Sequence, residues 1–288
     1  MITMITNLYH GNSYVKNLVT MAEENVKLLQ RKYPGEKAEY LFINDSPEDT
    51  VTLPDSPILS IKEVPNEKNQ GIHGAKVKAL EEAMGEYVLF LDQDDKIMPD
   101  CLLAHYENMP DIDVSVSNGY RVYGDRLEPL YSRKLAKKML HHKWCYIYGT
   151  DLIFSMGQCM IRKSAIPDYW KEHILQVNGS DDFYLWLCMF GEGKGFRFLE
   201  KALYNHMETK INYSNDKEKM DASYEKMCEL LSGNPAIASK DIAVLKKRLI
   251  YKRLCQNPKV SQGKKLVVGI SNLKTIFTVL LYKIGGYH

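Results

Sequence analysis

Three carboxylates crowd into four positions at Asp92, Asp94 and Asp95, directly after the apolar run Tyr87–Leu91. Like charges this close repel unless a cation sits among them. The Asp92-x-Asp94 spacing in a turn lets two side chains face one point. Carboxylates that share a site with water and phosphate oxygens suit Mg²⁺ or Mn²⁺. The plainer alternative is a solvated turn, or a cap on a helix starting near Pro99-Asp100. Placement at the end of a buried strand favours the metal.

Just upstream, residues 69–87 (NQGIHGAKVKALEEAMGEY) begin a helix with Gly71 and Gly74 and place Lys76 in its first turns. A helix N-terminus beside a lysine is a natural anion site. Next to a divalent cation, the expected anion is a diphosphate.

The elements that must position these groups alternate along the first half of the chain. Residues 1–9, 39–45, 58–64 and 86–91 read as strands. Residues 14–29 and 72–84 carry apolar residues at helical spacing, the second helix with Gly85 as its C-cap candidate. This order predicts an α/β fold, a mostly parallel sheet with helices on both faces. In such sheets ligands bind beyond the carboxyl ends of the strands. Three strands end in polar clusters (Asn7 with His10–Ser13, Asn44-Asp45, Asp92–Asp95), so the charges are expected on one rim. Later stretches read as a strand (113–124), two helices (166–175 and 181–190), a strand (195–207) and helices over 217–232, 241–255 and 266–284.

Together these stretches resemble family 2 glycosyltransferases of the GT-A fold. The carriers are "NQGIHGAKVKALEEAMGEYVLFLDQDD" (69–95), "FINDSPEDT" (42–50) and "NGSDDFYLWLCMFGEG" (178–193). The resemblance covers roughly residues 1–215. It implies a nucleotide-sugar-binding half over 1–112 and an acceptor-binding half over 113–215, and the helical pattern and basic charge of the remainder read as an extension over 216–288. It places Asp45 at the nucleotide base, Gly71, Lys76, Asp92 and Asp94 at the donor, and Mn²⁺ or Mg²⁺ on Asp94 with Asp92. Tyr9 and the backbone near it would pack on the base. Asp182 matches the carboxylate that acts as catalytic base, and direct in-line attack implies inversion. Asp181 and Trp186 are assigned to the acceptor side, although Asp181 or Ser180 could cap the helix and Trp186 could be pocket floor or core. His206 is expected at the metal or diphosphate, and Tyr213 and Ser214 in a lid. Some positions depart from the family pattern: Asn44 replaces an Asp, Ser46-Pro47 a Gly-Ser, and Lys76 an Arg. A lysine holds phosphate as a point charge, without the bidentate fork.

The implied reaction moves a sugar from a nucleotide-sugar, a UDP-sugar by default, to a hydroxyl of a glycan or lipid-linked acceptor in surface polysaccharide or glycolipid synthesis. Two other readings stay open. A nucleotidyltransferase would need a glycine-rich first loop with a catalytic Lys or Arg, of which "YHGNSYVKN" (9–17) is a poor version. A non-catalytic nucleotide-sugar-binding scaffold is disfavoured by the intact Asp92, Asp94 and Asp182.

Bulk composition agrees with an ordinary globular chain of 288 residues, 45% hydrophobic and 26% charged. The six cysteines are scattered without a CxxC pair, which suits a reduced, cytoplasmic setting. Neither a signal-type apolar segment nor a run of the ~20 apolar residues of a membrane span is expected. Net charge is +2 overall, yet residues 241–288 carry ten Lys/Arg and one Asp, +9, leaving −7 for residues 1–240. The apolar stretch 266–284 within this basic tail reads as one interfacial helix on the inner face of a membrane, on anionic lipid. Burial on the catalytic domain or in a homodimer is the alternative. The basic stretch 131–144 (YSRKLAKKMLHHKW) reads as a solvated helix face or an anionic-acceptor contact. No base-stacking motif supports nucleic-acid binding.

Overall fold

The strand β1 (Ile2–Leu8) is almost wholly buried because it runs between two others. The computed structural model describes residues 1–209 and 213–285. In it, β1 pairs in parallel with β2 (Ala38–Asn44) and with β4 (Tyr87–Phe90), and β2 pairs in parallel with β3 (Ser60–Pro65). Two-sided burial is why β2 and β4 read as continuous apolar runs. Between them, α1 (Asn12–Lys32) buries Val15, Leu18, Val19, Ala22, Val26 and Leu29, a stripe at three- and four-residue spacing. The helix α2 (Gly71–Glu82) follows β3.

Register places Leu8 beside Asn44 and Asn44 beside Pro65, so these carboxyl ends share one rim. Leu91, following β4, donates its N–H to Ile5 O (2.8 Å), which delivers Asp92 to the same rim.

Beyond β4 the sheet is mixed, and the expectation of a mostly parallel sheet holds only for the first half. The full order is β3-β2-β1-β4-β8-β6-β9-β5, with β7 on β6. Here β5 is Lys96–Ile97, β6 Val114–Tyr123, β7 Arg126–Pro129, β8 Cys159–Arg162 and β9 Phe196–Met207. The strand β8 runs antiparallel between β4 and β6, while β9 pairs in parallel with β6. The two halves therefore form one continuous sheet.

The helices α3 (Cys101–Asn108), α4 (Lys134–Met139), α5 (Lys143–Tyr148), α6 (Asp168–Glu172) and α7 (Asp181–Gly191) cover it. Then come α8 (Lys217–Leu231), α9 (Ser239–Gln256), α10 (Gln262–Ile270) and α11 (Leu273–Gly285). The C-terminal helices join the main core through Met227, Leu231, Ile242, Leu245 and Tyr282.

Two expectations change. Gly85 is not a helix C-cap: α2 ends at Glu82 and Ala83 is already extended. A Cβ on Gly85 would stand 2.6 Å from the Thr3 backbone nitrogen, so close approach to β1 demands the glycine. The stretch 266–284 is not one helix either. It breaks at Ser271-Asn272, where α10 and α11 meet at 94°. Among the described residues no single helix is long and apolar enough to cross a membrane.

Gly85→Ala tests the first point. Its methyl meets backbone that cannot swing aside, so we expect about 1–3 kcal/mol of destabilisation, read as a lower urea midpoint with an unchanged slope.

Candidate functional site

At the rim, β2 ends in Asn44-Asp45, and Asp45 turns back into the protein. Its Oδ1 accepts from Asn66 Nδ2 (2.7 Å) and the Gln70 N–H (2.7 Å), and its Oδ2 accepts from the Gly71 N–H (3.1 Å). The next amide, Ile72 N–H, donates to Asn178 Oδ1 (2.9 Å). The N-terminus of α2 is thus an anion site whose anion is Asp45 itself. This corrects the reading of that helix end as a diphosphate cradle. Gly71 takes φ +72°, and its N–H is already spent on Asp45 and Asn69, which removes it from direct donor contact.

One turn on, Lys76 is buried, and its ammonium donates to Asp181 Oδ2 and Asp182 Oδ1, both at 2.7 Å. The lysine is therefore no free phosphate ligand but the counterion of the α7 pair. No side chain caps α7, so the capping alternative for Asp181 and Ser180 gives way to this pairing. Burial opposes Asp181 ionisation, but Lys76 outweighs it and holds the carboxyl down at about 2. Asp182 is pushed up to about 6, by burial first and by Asp181 against the opposing pull of Lys76. Burial likewise disfavours the Lys76 charge, and the surrounding carboxylates reverse that and raise its pKa. The second Asp182 oxygen accepts from the Met156 N–H (3.1 Å). Each oxygen keeps a further lone pair, so the carboxylate can still take a proton.

The Asp92–Asp95 cluster divides its labour. Asp95 is buried and accepts from the Tyr204 hydroxyl, from the Met207 N–H (2.8 Å) and from the His206 ring at Nδ1 (3.2 Å). It ties the loop after β4 to the end of β9. Asp92 and Asp94 instead face the cleft. Their recessed position, then the charge of Asp95, raises both carboxyls. His206 is also raised, since Asp95 outweighs the opposing effect of burial.

One cavity of about 1790 Å³ takes in Tyr9, Asp45, Lys76, Asp92, Asp94 and His206, and also Asp181 and Asp182. Of the residues assigned donor, metal, acceptor or catalytic roles from the sequence, Gly71 and Trp186 do not line it. Trp186 is fully buried, its ring edge-on to Phe196 at 6.0 Å. Its position one turn after Asp182 points into the core, which corrects the acceptor assignment. Tyr9 stands 57% exposed, with its backbone clipped in both directions to Gln93 (3.0 and 3.2 Å). Tyr213 and Ser214 also line the cavity.

Asn7, from the polar end of the first strand, and residues that the sequence does not single out complete the walls. Asn7 gives its amide to Ile72 O (3.0 Å) and keeps a buried Oδ1 without a hydrogen-bond partner among the described residues. Asp151 lines the cavity with its carboxyl held well up, by burial and then by Asp182. Arg248, Tyr251 and Lys252 of α9 form the far wall, where Arg248 is anchored on Tyr146 O (2.6 Å) and Ile147 O (2.9 Å).

Asp92, Asp94 and His206 offer oxygen and nitrogen donors to one cavity but do not close into a three-ligand set. The described residues that do cluster so are His10, Glu48 and Asp49, at the surface. The donor chemistry fits a hard cation held by one or two carboxylates, with its other positions filled by water and phosphate.

Among known proteins, the family model described as glycosyl transferase family 2 matches residues 13–170. S. aureus TarS 1-349 superposes with a TM-score of 0.58 at 16% identity, over 96% of this chain and 80% of that one. Its complex with UDP-GlcNAc gives 0.57 at 16% identity, over 96% and 81%. The mannosyltransferase PcManGT from Pyrobaculum calidifontis, in complex with GDP-Man and Mn2+, gives 0.51 at 13% identity, over 99% and 73%. No curated protein sequence matches. At these identities the likeness shows the fold, the mixed α/β sheet of GT-A enzymes.

Removing the ammonium leaves the buried Asp181 and the half-buried Asp182 without their cation. We expect Lys76→Met to cost about 3–5 kcal/mol. In the native protein the Asp181 pairing is in full force above the ordinary carboxylate range and is lost only as pH falls toward about 2. In the variant both carboxyls rise, folding takes up protons, and the deficit shrinks as pH drops from about 8 toward 5. Urea unfolding across that range measures it.

Proposed function

The chain belongs to glycosyl transferase family 2, and on that premise we propose that it transfers a sugar from a nucleotide-sugar to an acceptor hydroxyl with inversion. A UDP-sugar is the proposed donor, and a surface glycan or glycolipid under assembly is the proposed acceptor. The observation that carries this reading is that Asp92 and Asp94, at the rim of the first half of the sheet, share one cavity with Asp182, from the second half. Support for the donor comes from TarS, seen with UDP-GlcNAc, and from PcManGT, seen with GDP-Man.

In the reaction the acceptor oxygen attacks the anomeric carbon while the bond from that carbon to the diphosphate oxygen breaks. The bonding pair leaves with the diphosphate. The acceptor proton passes to Asp182, whose raised pKa suits a base working near neutrality. Asp94 and Asp92 would hold Mn²⁺ or Mg²⁺, whose chemistry there is to neutralise the departing diphosphate, with His206 beside them on Asp95. Asp45 fixes the floor beneath the base, and the open face of Tyr9 stacks on it. Lys76 keeps Asp181 and Asp182 in place and tunes the latter.

The nucleotidyltransferase alternative needs a basic residue from the first loop in the cleft. Lys16, the candidate in that loop's sequence, is exposed on α1 and does not line the cavity.

The test is slow hydrolysis of a panel of sugar nucleotides with and without Mn²⁺. We expect one donor to be hydrolysed only with metal, and Asp94→Ala to abolish this. Asp182→Asn should keep donor binding and lose about 10²–10⁴-fold in transfer rate. The rate of the native enzyme should fall with acid below about pH 6, where Asp182 becomes protonated. Absence of binding by every donor in the panel would overturn the reading.

A further inference from the structure

The helix α11 is built inside out. Its inward positions, with Asn272 just before it, carry Thr275, Thr278 and Tyr282, all at most 6% exposed. Leu273, Phe277, Leu280 and Ile284 recur at helical spacing on the outside, each at least 51% exposed. On α10, Leu266, Val267 and Ile270 are more than 60% exposed as well. An amphipathic helix in water turns its apolar stripe to the core. A contiguous apolar surface of the opposite sense marks a site of contact.

The neighbourhood says what would cover it. The helix α11 packs on α4 and α5, the basic stretch whose role the cleft does not explain. Trp144 of α5, 43% exposed, shares a groove of about 260 Å³ with Lys274 and Phe277. Exposed Lys134 and Lys138 lie on α4, and Lys264, Lys274 and Lys283 on the helix pair. No Asp or Glu occurs in residues 131–150 or 242–285. A second copy docked here would set cations against cations. An apolar stripe with a tryptophan and a rim of lysines matches the interface of an anionic bilayer.

We propose that α10, α11 and the adjoining face of α4–α5 dock on an anionic phospholipid surface, lying in its interfacial plane. The same α11 lines the cleft through Thr275, Val279 and Lys283, so docking sets the far end of the cleft at the membrane. This does not depend on the sugar-transfer reading.

The full chain is sedimented with vesicles of phosphatidylcholine, with and without phosphatidylglycerol. We expect binding to the anionic vesicles alone, weakened by salt. The double variant Phe277→Glu, Leu280→Glu should lower that binding by roughly tenfold or more. Lys134→Glu with Lys274→Glu should weaken it too. All four positions are outside the cleft, so donor hydrolysis and thermal melting should be unchanged. Failure to bind, or equal binding to neutral vesicles, would overturn the proposal. So would a dimer in sedimentation equilibrium that the Phe277→Glu, Leu280→Glu variant splits. Vesicle binding without donor hydrolysis would remove only the catalytic reading.

Discussion

The ammonium of Lys76 is the charge on which the cleft depends. It comes from a helix of the first half of the sheet and is spent on two carboxylates more than a hundred residues away, at the head of α7. Burying any one of these groups alone would be prohibitive, and together they are tolerable because each finds a partner of opposite sign. The pair also fixes which face of α7 meets the cavity. Asp181 and Asp182 turn to Lys76 and the cleft, and Trp186, a turn later, goes to the core against Phe196.

The balance of charge around that lysine then decides what the cavity accepts. One ammonium stands among Asp181, Asp182 and Asp92, with Asp94 on the same walls. Beside Lys76 the local excess is negative and would repel a bare diphosphate there, although Arg248, Lys252 and Lys283 line other walls of the same cavity. A divalent cation and a diphosphate arriving together leave far less unbalanced charge than either partner alone. The raised pKa values of Asp92 and Asp94 express the same frustration.

Much of this was legible in the residues. The alternation of strand and helix, and the shared rim that carries Asp45, Asp92 and Asp94, follow from local patterns, because apolar period and polar strand ends are local properties; Asp182 is placed at the cleft by the family resemblance alone. Pairing across the chain was not legible. Nothing near residue 76 tells that its charge is spent on residues 181 and 182. Nothing near Asp45 tells that its carboxylate fills the N-terminus of α2. In the sequence Asp95 is one of three crowded carboxylates, and nothing near it tells that Tyr204, His206 and the Met207 amide claim it. Helical spacing puts Trp186 on the face of Asp182, but a face spans some 100° of arc, and core and cleft meet within it. The antiparallel β8 escaped notice because four residues, Cys159–Arg162, carry too little pattern to declare a direction.

The extent of the family match bears on where acceptor choice resides. The match ends at residue 170, so it includes Asp45, Lys76, Asp92 and Asp94 but neither Asp182 nor the wall built by α9 and α11. On the proposed mechanism the donor is handled by the rim of the first half, and the acceptor must approach from the side of Asp182. That side is lined by Arg248, Tyr251 and Lys252, on helices that pack into the main core without belonging to the matched segment. A scaffold of this kind lets the donor machinery stay fixed while the helical extension changes. On that proposal the choice of acceptor would fall to the last seventy or so residues, where the basic charge also lies.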